Sequence, residues 1–431
     1  MQIVKLPSVN IKHFVFGLLV LGICSHALLA LATDQVPGKL IITVEDYKAQ
    51  KSVTRYFIED QSRPGNTFEI HFATEPEDNL MTGMIVTGQG QLNGKHLENA
   101  NIIKSNAAAF RKITPMSISS GSPVVTGMPV TTPVANLQTT LVYILQSPNQ
   151  VNNFSNNQLY NIMFGKTGLS LSVNDFYYQN SFKSVTFDGT VVGPYTIDIP
   201  ATCDSNSIRD QGDKAAIAAG INIANYTHHV YMMPNEMKSL CVFTGTSTLG
   251  GNPSISWIDT GYFSPNDPNI YVILEHELGH ALNMQHAQSV QADGTLLEYG
   301  DNSCPMGDSA YNLVNFNVPH LIQEGWIPLS NVRQIRTNTV NAHVALAEAS
   351  MSSEQALQIF LPGGNDILYV SYRQPDGQDS HLSSNFVTGA SIHLWKGSNS
   401  KTRFVKTLTD GETYSVPGGL GGDAQSQEDA D

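Results

Sequence analysis

Short apolar runs broken by polar turns fill residues 38 to 105, including the turn Arg63-Pro64-Gly65-Asn66. Lys39–Val44, Arg55–Ile58, Phe68–Phe72 and Met84–Val86 read as strands. They predict a small N-terminal β-domain over residues 33–112, a candidate propeptide. Residues 113–136 are rich in Pro, Ser, Thr and Gly with few charges, which predicts an exposed linker. A different pattern follows over 137–330. Thr140–Leu145 and His229–Met233 are strand-like. Asn157–Phe164 and Lys214–Ile223 have helical spacing, and Val185–Phe187 with Thr190–Val192 suggests a hairpin across Asp188-Gly189. This mixture predicts an α+β domain. Over 331–416 the strand pattern returns at Ala342–Leu346, Ala356–Phe360, Ile367–Tyr372, Ser391–Trp395 and Phe404–Leu408. Its regular spacing predicts a C-terminal β-sandwich. The Gly-, Asp- and Gln-rich tail, 417–431, reads as disordered.

The first 32 residues stand apart. Lys5 and Lys12 precede the apolar run Phe14 to Ile23, and Ala30-Leu31-Ala32 offers a small-residue cleavage site. That order is a signal peptide, so a secreted protein without a stable membrane anchor is expected. The net charge of -14 argues against nucleic-acid partners, which require a basic footprint. Export permits disulfides. Removal of the signal leaves Cys203, Cys241 and Cys304, which allow one bridge and a free thiol, or an intermolecular pair. Cys203–Cys241 is the favoured bridge because both flank the same predicted subdomain. Asn153-Phe-Ser and Asn225-Tyr-Thr are glycosylation sequons if the source is eukaryotic.

Chemistry concentrates in Leu274 to Ala287. Asp267-Pro268 is a cap followed by a first-turn proline, so a helix should start there. Ile270, Ile273, Leu274, Leu278 and Ala281 form its apolar spacing. His276 and His280, four apart, share a face and can grip one Zn2+. Glu277 lies beside the first ligand, placed to take a proton from a water at the metal. His286 can join as third ligand only if the chain turns sharply after His280. Asn283 is the expected left-handed residue of that turn, since Asn tolerates positive φ better than most residues. His228 and His229 read as hydrogen-bonded or surface histidines. Asp301 and Asp308 could bind Ca2+, though loop carboxylates are usually just solvated.

A Met in a tight Gly/Pro turn follows in Tyr299-Gly-Asp-Asn-Ser-Cys304-Pro-Met306-Gly-Asp308. With His276 to Ala287, this turn, Phe316-Asn-Val-Pro-His320 and Gly325-Trp326, the chain resembles the gametolysin family of metzincin metallopeptidases. Fainter likeness reaches Ser181-Phe182, Val191 to Pro194, Cys203, Cys241, Leu249 to Gly251 and the C-terminal strands. The resemblance implies an α+β metzincin catalytic domain in a multidomain chain. It implies one catalytic Zn2+ on His276, His280 and His286, Glu277 as general base, and Met306 as an apolar floor. Protein substrates, including extracellular or cell-wall glycoproteins, are implied as well. The chain departs from the usual pattern in carrying Asn283 where most metzincins have Gly. Asp308 stands two residues after Met306, so a tyrosine ligand from that position is not expected. A substrate strand is expected along an edge near Ser254–Trp257. Any latency device is not a cysteine switch, because residues 33 to 136 contain no Cys. The rival expectation is a secreted adhesion or glycan-binding protein that keeps the fold with little turnover. A structural zinc protein is disfavoured, because such sites are closed by a fourth protein ligand.

Overall fold

The computed structural model describes residues 33–47, 51–63, 65–77, 79–104, 136–165, 172–308, 314–336, 354–361, 366–397, 400–415 and 423–425. The signal-like segment, nearly all of the linker and the strand expected at Ala342–Leu346 lie outside them. Among the described residues no helix is long and apolar enough to cross a membrane.

Five N-terminal strands close on themselves. They are β1 (Asp34–Tyr47), β2 (Lys51–Asp60), β3 (Thr67–Phe72), β4 (Ile85–Asn93) and β5 (His96–Lys104). β1 pairs with β2 and β4, β2 with β3, β3 with β5, and β5 with β4, which completes a ring. Alternate residues point inward, as a pleated strand requires. Leu40, Ile42, Val44, Ile58, Phe68, Ile70, Val86 and Leu97 form the interior, with Leu249, among the described residues, the one member of this cluster from beyond the barrel. Closure hides the edges that five short strands would otherwise expose.

β1 is longer than the barrel needs. Its last residues, Thr43 to Tyr47, run antiparallel to β9 (Phe243–Thr248) and join the barrel to a second group of strands. That group contains β6 (Asn136–Gln146), β7 (Val185–Thr196), β8 (His228–Met233) and β10 (Ser254–Asp259). The order β1-β9-β10-β8-β6-β7 is parallel from β10 to β7, with β9 antiparallel to β10. β7 is one unbroken strand through Asp188-Gly189, not the expected hairpin. A side chain at Gly189 would strike the Thr140 backbone, so this Gly serves close strand approach instead of a turn.

Strand alternation assigns each face of this sheet to different helices. Val142, Ile144, Val230, Met232 and Ile258 face α1 (Asn156–Phe164), α2 (Val173–Asn180) and α4 (Asn269–Ala281). Leu141, Tyr143, Leu145, Tyr231, Met233 and Trp257 face α3 (Ser205–Ala218), beside the Cys203–Cys241 disulfide. The helix expected over Lys214–Ile223 therefore begins nine residues earlier and ends sooner, started by the Asp204 side chain on Ser207 N–H.

β11 (Ala287–Val290), β12 (Leu296–Leu297), α5 (Val318–Gln323), β13 (Val332–Ile335), β14 (Ala356–Phe360), β15 (Ile367–Tyr372), β16 (Ala390–Trp395) and β17 (Thr402–Leu408) complete the main body. These strands form one seven-stranded sheet ordered β12-β11-β17-β16-β15-β14-β13. The strands of the expected sandwich region thus share a sheet with β11 and β12, and Tyr414 packs against its apolar cluster of Ile335, Leu357, Leu368, Val370, Ile392 and Leu408. β11 pairs in parallel with β17, tying the chain just after His286 to the C-terminal strands. Within the stretch read as a disordered tail, β19 (Asp423–Gln425) pairs with β18 (Thr413–Ser415).

Candidate metal centre

Helix α4 starts as its sequence predicts. The Asp267 carboxylate accepts from the Asn269 N–H, and Pro268 adopts helical angles. Ile270, Leu274, Leu278 and Ala281 are buried in the core, which fixes the helix's rotation and turns His276, Glu277 and His280 toward β9. The helix ends at Ala281, and Asn283 has φ 74°. The Asn283 N–H donates to the His280 carbonyl and the Met284 N–H to the Gly279 carbonyl, closing a left-handed stop. His286 then swings back beside the helix.

The three imidazoles meet. One ring nitrogen each of His276, His280 and His286, with a carboxylate oxygen of Asp46, lie within 4.8 Å of one another. Each Nδ1 is occupied on the far side. His276 Nδ1 lies 2.6 Å from the Pro305 carbonyl, His280 Nδ1 2.7 Å from the Met284 carbonyl, and His286 Nδ1 2.8 Å from Glu298 Oε1. Carbonyls and carboxylates can only accept, so each Nδ1 carries the proton and each Nε2 of a neutral ring presents a lone pair. His280 and His286 bring Nε2 atoms to 3.0 Å. At that distance either one ring carries a proton toward the other or a cation lies between them. His276 Nε2 and Asp46 Oδ2 have no hydrogen-bond partner. Three nitrogens and one oxygen in this arrangement are a donor set that fits Zn2+.

Asp46 and Glu298 were not among the residues singled out from the sequence. Asp46 lies on β1, with Oδ1 2.8 Å from His286 Nε2 and Oδ2 3.5 Å from the Nε2 of His276 and of His280. The Tyr299 hydroxyl donates to it. Burial alone would raise the Asp46 carboxyl's pKa, but the charges of His286 and His276 hold it well below the usual carboxylate range. For Glu298, burial likewise opposes ionisation. The His286 hydrogen bond and the Lys401 ammonium overcome it and keep this carboxyl ionised. Its position just before Tyr299 is the only signal the sequence offers for it. Asp46 offers none, standing 253 positions from Tyr299.

Glu277 reaches into the same space from the side of β9. A Cβ on Gly245 would come within 2.1 Å of its Oε1, so only glycine there admits the carboxylate. Glu277 is fully buried and neither oxygen has a hydrogen-bond partner. Burial first, and then the Asp46 carboxylate, push its pKa well above the ordinary value. Met306 packs beneath the helix, its sulfur filling the space where a Gly279 Cβ would stand. The Met306 carbonyl accepts from the Ala287 N–H at 2.8 Å, so the Met loop also fixes the chain beside His286.

Across more than half of the chain, residues 139–408, the sequence matches the family model described as Gametolysin peptidase M11. The chain belongs to this family of metallopeptidases. No curated protein matches it. The matched span contains α4, His286, Glu298 and Met306, whereas the barrel strand carrying Asp46 lies before it.

The remaining candidates have other partners. Cys304 is free and buried, 3.4 Å from His320 Nδ1, and burial pushes its thiol pKa up, which makes it unreactive. Asp301 accepts from Ser303, Asn317 and His393, so its oxygens are engaged by protein donors and not set out for Ca2+. His228 bonds Ser254 and Gln138, and His229 bonds the Ile223 carbonyl. β10, where the substrate edge was expected, lies between β9 and β8 and has no free edge. The outer strand of the α/β part on that side is β9, and β1 covers it.

Proposed function

We propose that the protein is a secreted zinc endopeptidase that hydrolyses peptide bonds of extracellular or cell-wall proteins. The observation that carries this reading is the convergence of one ring nitrogen from each of His276, His280 and His286 beside a buried carboxylate, Glu277, that belongs to none of them. Zinc bound there would polarise the scissile carbonyl and lower the pKa of the attacking water towards about 7. His276, His280 and His286 would hold it, oriented by Pro305, Met284 and Glu298. Glu277 would take the water's proton and deliver it to the leaving amine. Gly245 leaves the room for that carboxylate, and Met306 supports the helix from below. A substrate strand would pair along β9. Secretion rests on the signal-like first 32 residues.

Asp46 favours one second reading. A fourth protein donor is the mark of a structural zinc site. Zinc analysis and casein digestion, with and without chelator, on the secreted protein and on Asp46→Ala separate the two. A peptidase loses activity with the chelator and regains it with zinc. Zinc-loaded, folded protein that cleaves nothing in either form would leave the structural reading standing.

A further inference from the structure

We propose that Asp46 is an intramolecular fourth ligand of the metal and that β1 fills the place of a substrate strand on β9, so the N-terminal barrel holds the full chain inactive until it is displaced. This rests on the zinc-peptidase reading above.

Three observations converge on it. The first is occupancy of the edge. Thr43, Val44, Glu45 and Asp46 stand opposite Thr248, Ser247, Thr246 and Gly245, antiparallel. Side chains of β9 add to the pairing, since Thr246 Oγ1 donates to the Val44 carbonyl at 2.7 Å. The second is the carboxylate itself. A structural aspartate would have protein donors on both oxygens. Here Oδ1 takes the Tyr299 hydroxyl, while Oδ2 has no donor and faces His276 and His280. The third is closure. His280, His286 and Glu277 are completely hidden from solvent, and Asp46 is 5% exposed, so Asp46 and β1 together close the donors off.

The geometry also explains why β1 would not be cleaved. Its register shifts between Asp46 and Tyr47, bending the strand at the metal donors. The Asp46 carbonyl accepts from Thr244 Oγ1 at 3.2 Å, on the β9 side. A side-chain carboxylate therefore meets the imidazoles where a substrate would present a peptide carbonyl. The inhibitory segment is built to leave as a unit, because the barrel has its own apolar interior, to which, among the described residues, Leu249 alone is added from outside. The absence of cysteine from residues 33 to 136 fits a carboxylate in this role.

The test replaces zinc by cobalt in the full chain and titrates acetohydroxamate, a small bidentate metal ligand, following the visible spectrum. A tethered carboxylate competes at an effective concentration of millimolar or more. Asp46→Ala should therefore bind hydroxamate at least about tenfold more tightly than wild type and should cleave a short peptide faster by a similar factor. Asp46→Asn keeps the side-chain volume and should show the same trend if Asp46→Ala does not fold. A wild-type spectrum that responds to hydroxamate as readily as either variant overturns the proposal. If both chains hold metal and respond alike, the peptidase reading survives and only the inference falls. If neither takes up metal, both fall.

Discussion

Two groups of side chains in this molecule carry metal-binding atoms at similar spacing, and they differ in every other respect. Asp46, His276, His280 and His286 are buried, while Glu69, His71 and His96 lie on the outside of the barrel. In the exposed group the charges are already met. Arg55 pairs with Glu69 at 2.9 Å, and His71 Nδ1 sits 3.0 Å from Glu98. Water completes what these partners leave, and long exposed pairs of this kind contribute little. In the buried group water is excluded, each Nδ1 faces an acceptor on the far side, and the inward Nε2 atoms have only each other and Asp46. Burying polar atoms without partners costs several kcal/mol, so the protein either holds a cation there or bears that strain. Proximity of ligand types is thus common to both groups, and burial with fixed tautomers distinguishes the buried one.

The sharpest way to break the buried group's claim is to remove the base and leave the donors. Glu277→Gln should retain zinc and lose turnover by about 10²–10⁴-fold, since an amide cannot accept the proton. Peptide hydrolysis by the zinc-loaded Asp46→Ala chain, with and without the second change, reads this. A variant that keeps most of its rate would place the base elsewhere. Glu298→Gln tests orientation. Weakening the hydrogen bond that aligns His286 should reduce zinc affinity by about 10–100-fold, measured by competition with a chromophoric chelator. An unchanged affinity would mean that Glu298 only pairs with Lys401.

Asn283 sharpens the comparison at smaller scale. Val in a left-handed position costs on the order of 1–3 kcal/mol, so Asn283→Val should weaken zinc binding as His286 loses its anchor. Asn283→Gly should leave zinc affinity within about twofold of wild type, because Gly adopts positive φ freely. Equal affinities for Val and Gly would show that the turn does not set the position of the third histidine.

Legibility in the sequence followed the range of the physics. α4 is written locally: a cap at Asp267, apolar residues every three or four positions, two histidines on one face and an Asn where the helix must stop. Each of these acts over one or two turns of chain, so each could be read in place. The barrel strands β1 to β4 were visible as alternation for the same reason, while β5, with the polar run Glu98-Asn99 inside it, was not. The extension of β1 onto β9 is a pairing between residues far apart in sequence, and no local pattern records it. Asp46 therefore passed as one more acidic residue on a strand, and β9 as a Thr-rich stretch of no note. Gly189 and Gly245 are hard to read for a related reason. Gly189 reads as a turn and Gly245 does not stand out, yet each is there because another group, the Thr140 backbone or the Glu277 carboxylate, occupies the space of a side chain. Folding the C-terminal strands into one sheet with β11 likewise depends on the return of the chain after His286.

Zinc stoichiometry across two variants tests the central claim most directly. The full chain, a His276/His280/His286 triple alanine variant and a His71/His96 double alanine variant are purified and dialysed against a weak chelator, and bound zinc is measured by mass spectrometry. The account predicts about one zinc per chain in the wild type and in the His71/His96 variant, and none in the triple variant, because a full structural donor set is worth ~10–16 kcal/mol of binding and most of it resides in those three rings. Zinc that persists in the triple variant, or disappears with His71 and His96, would contradict it.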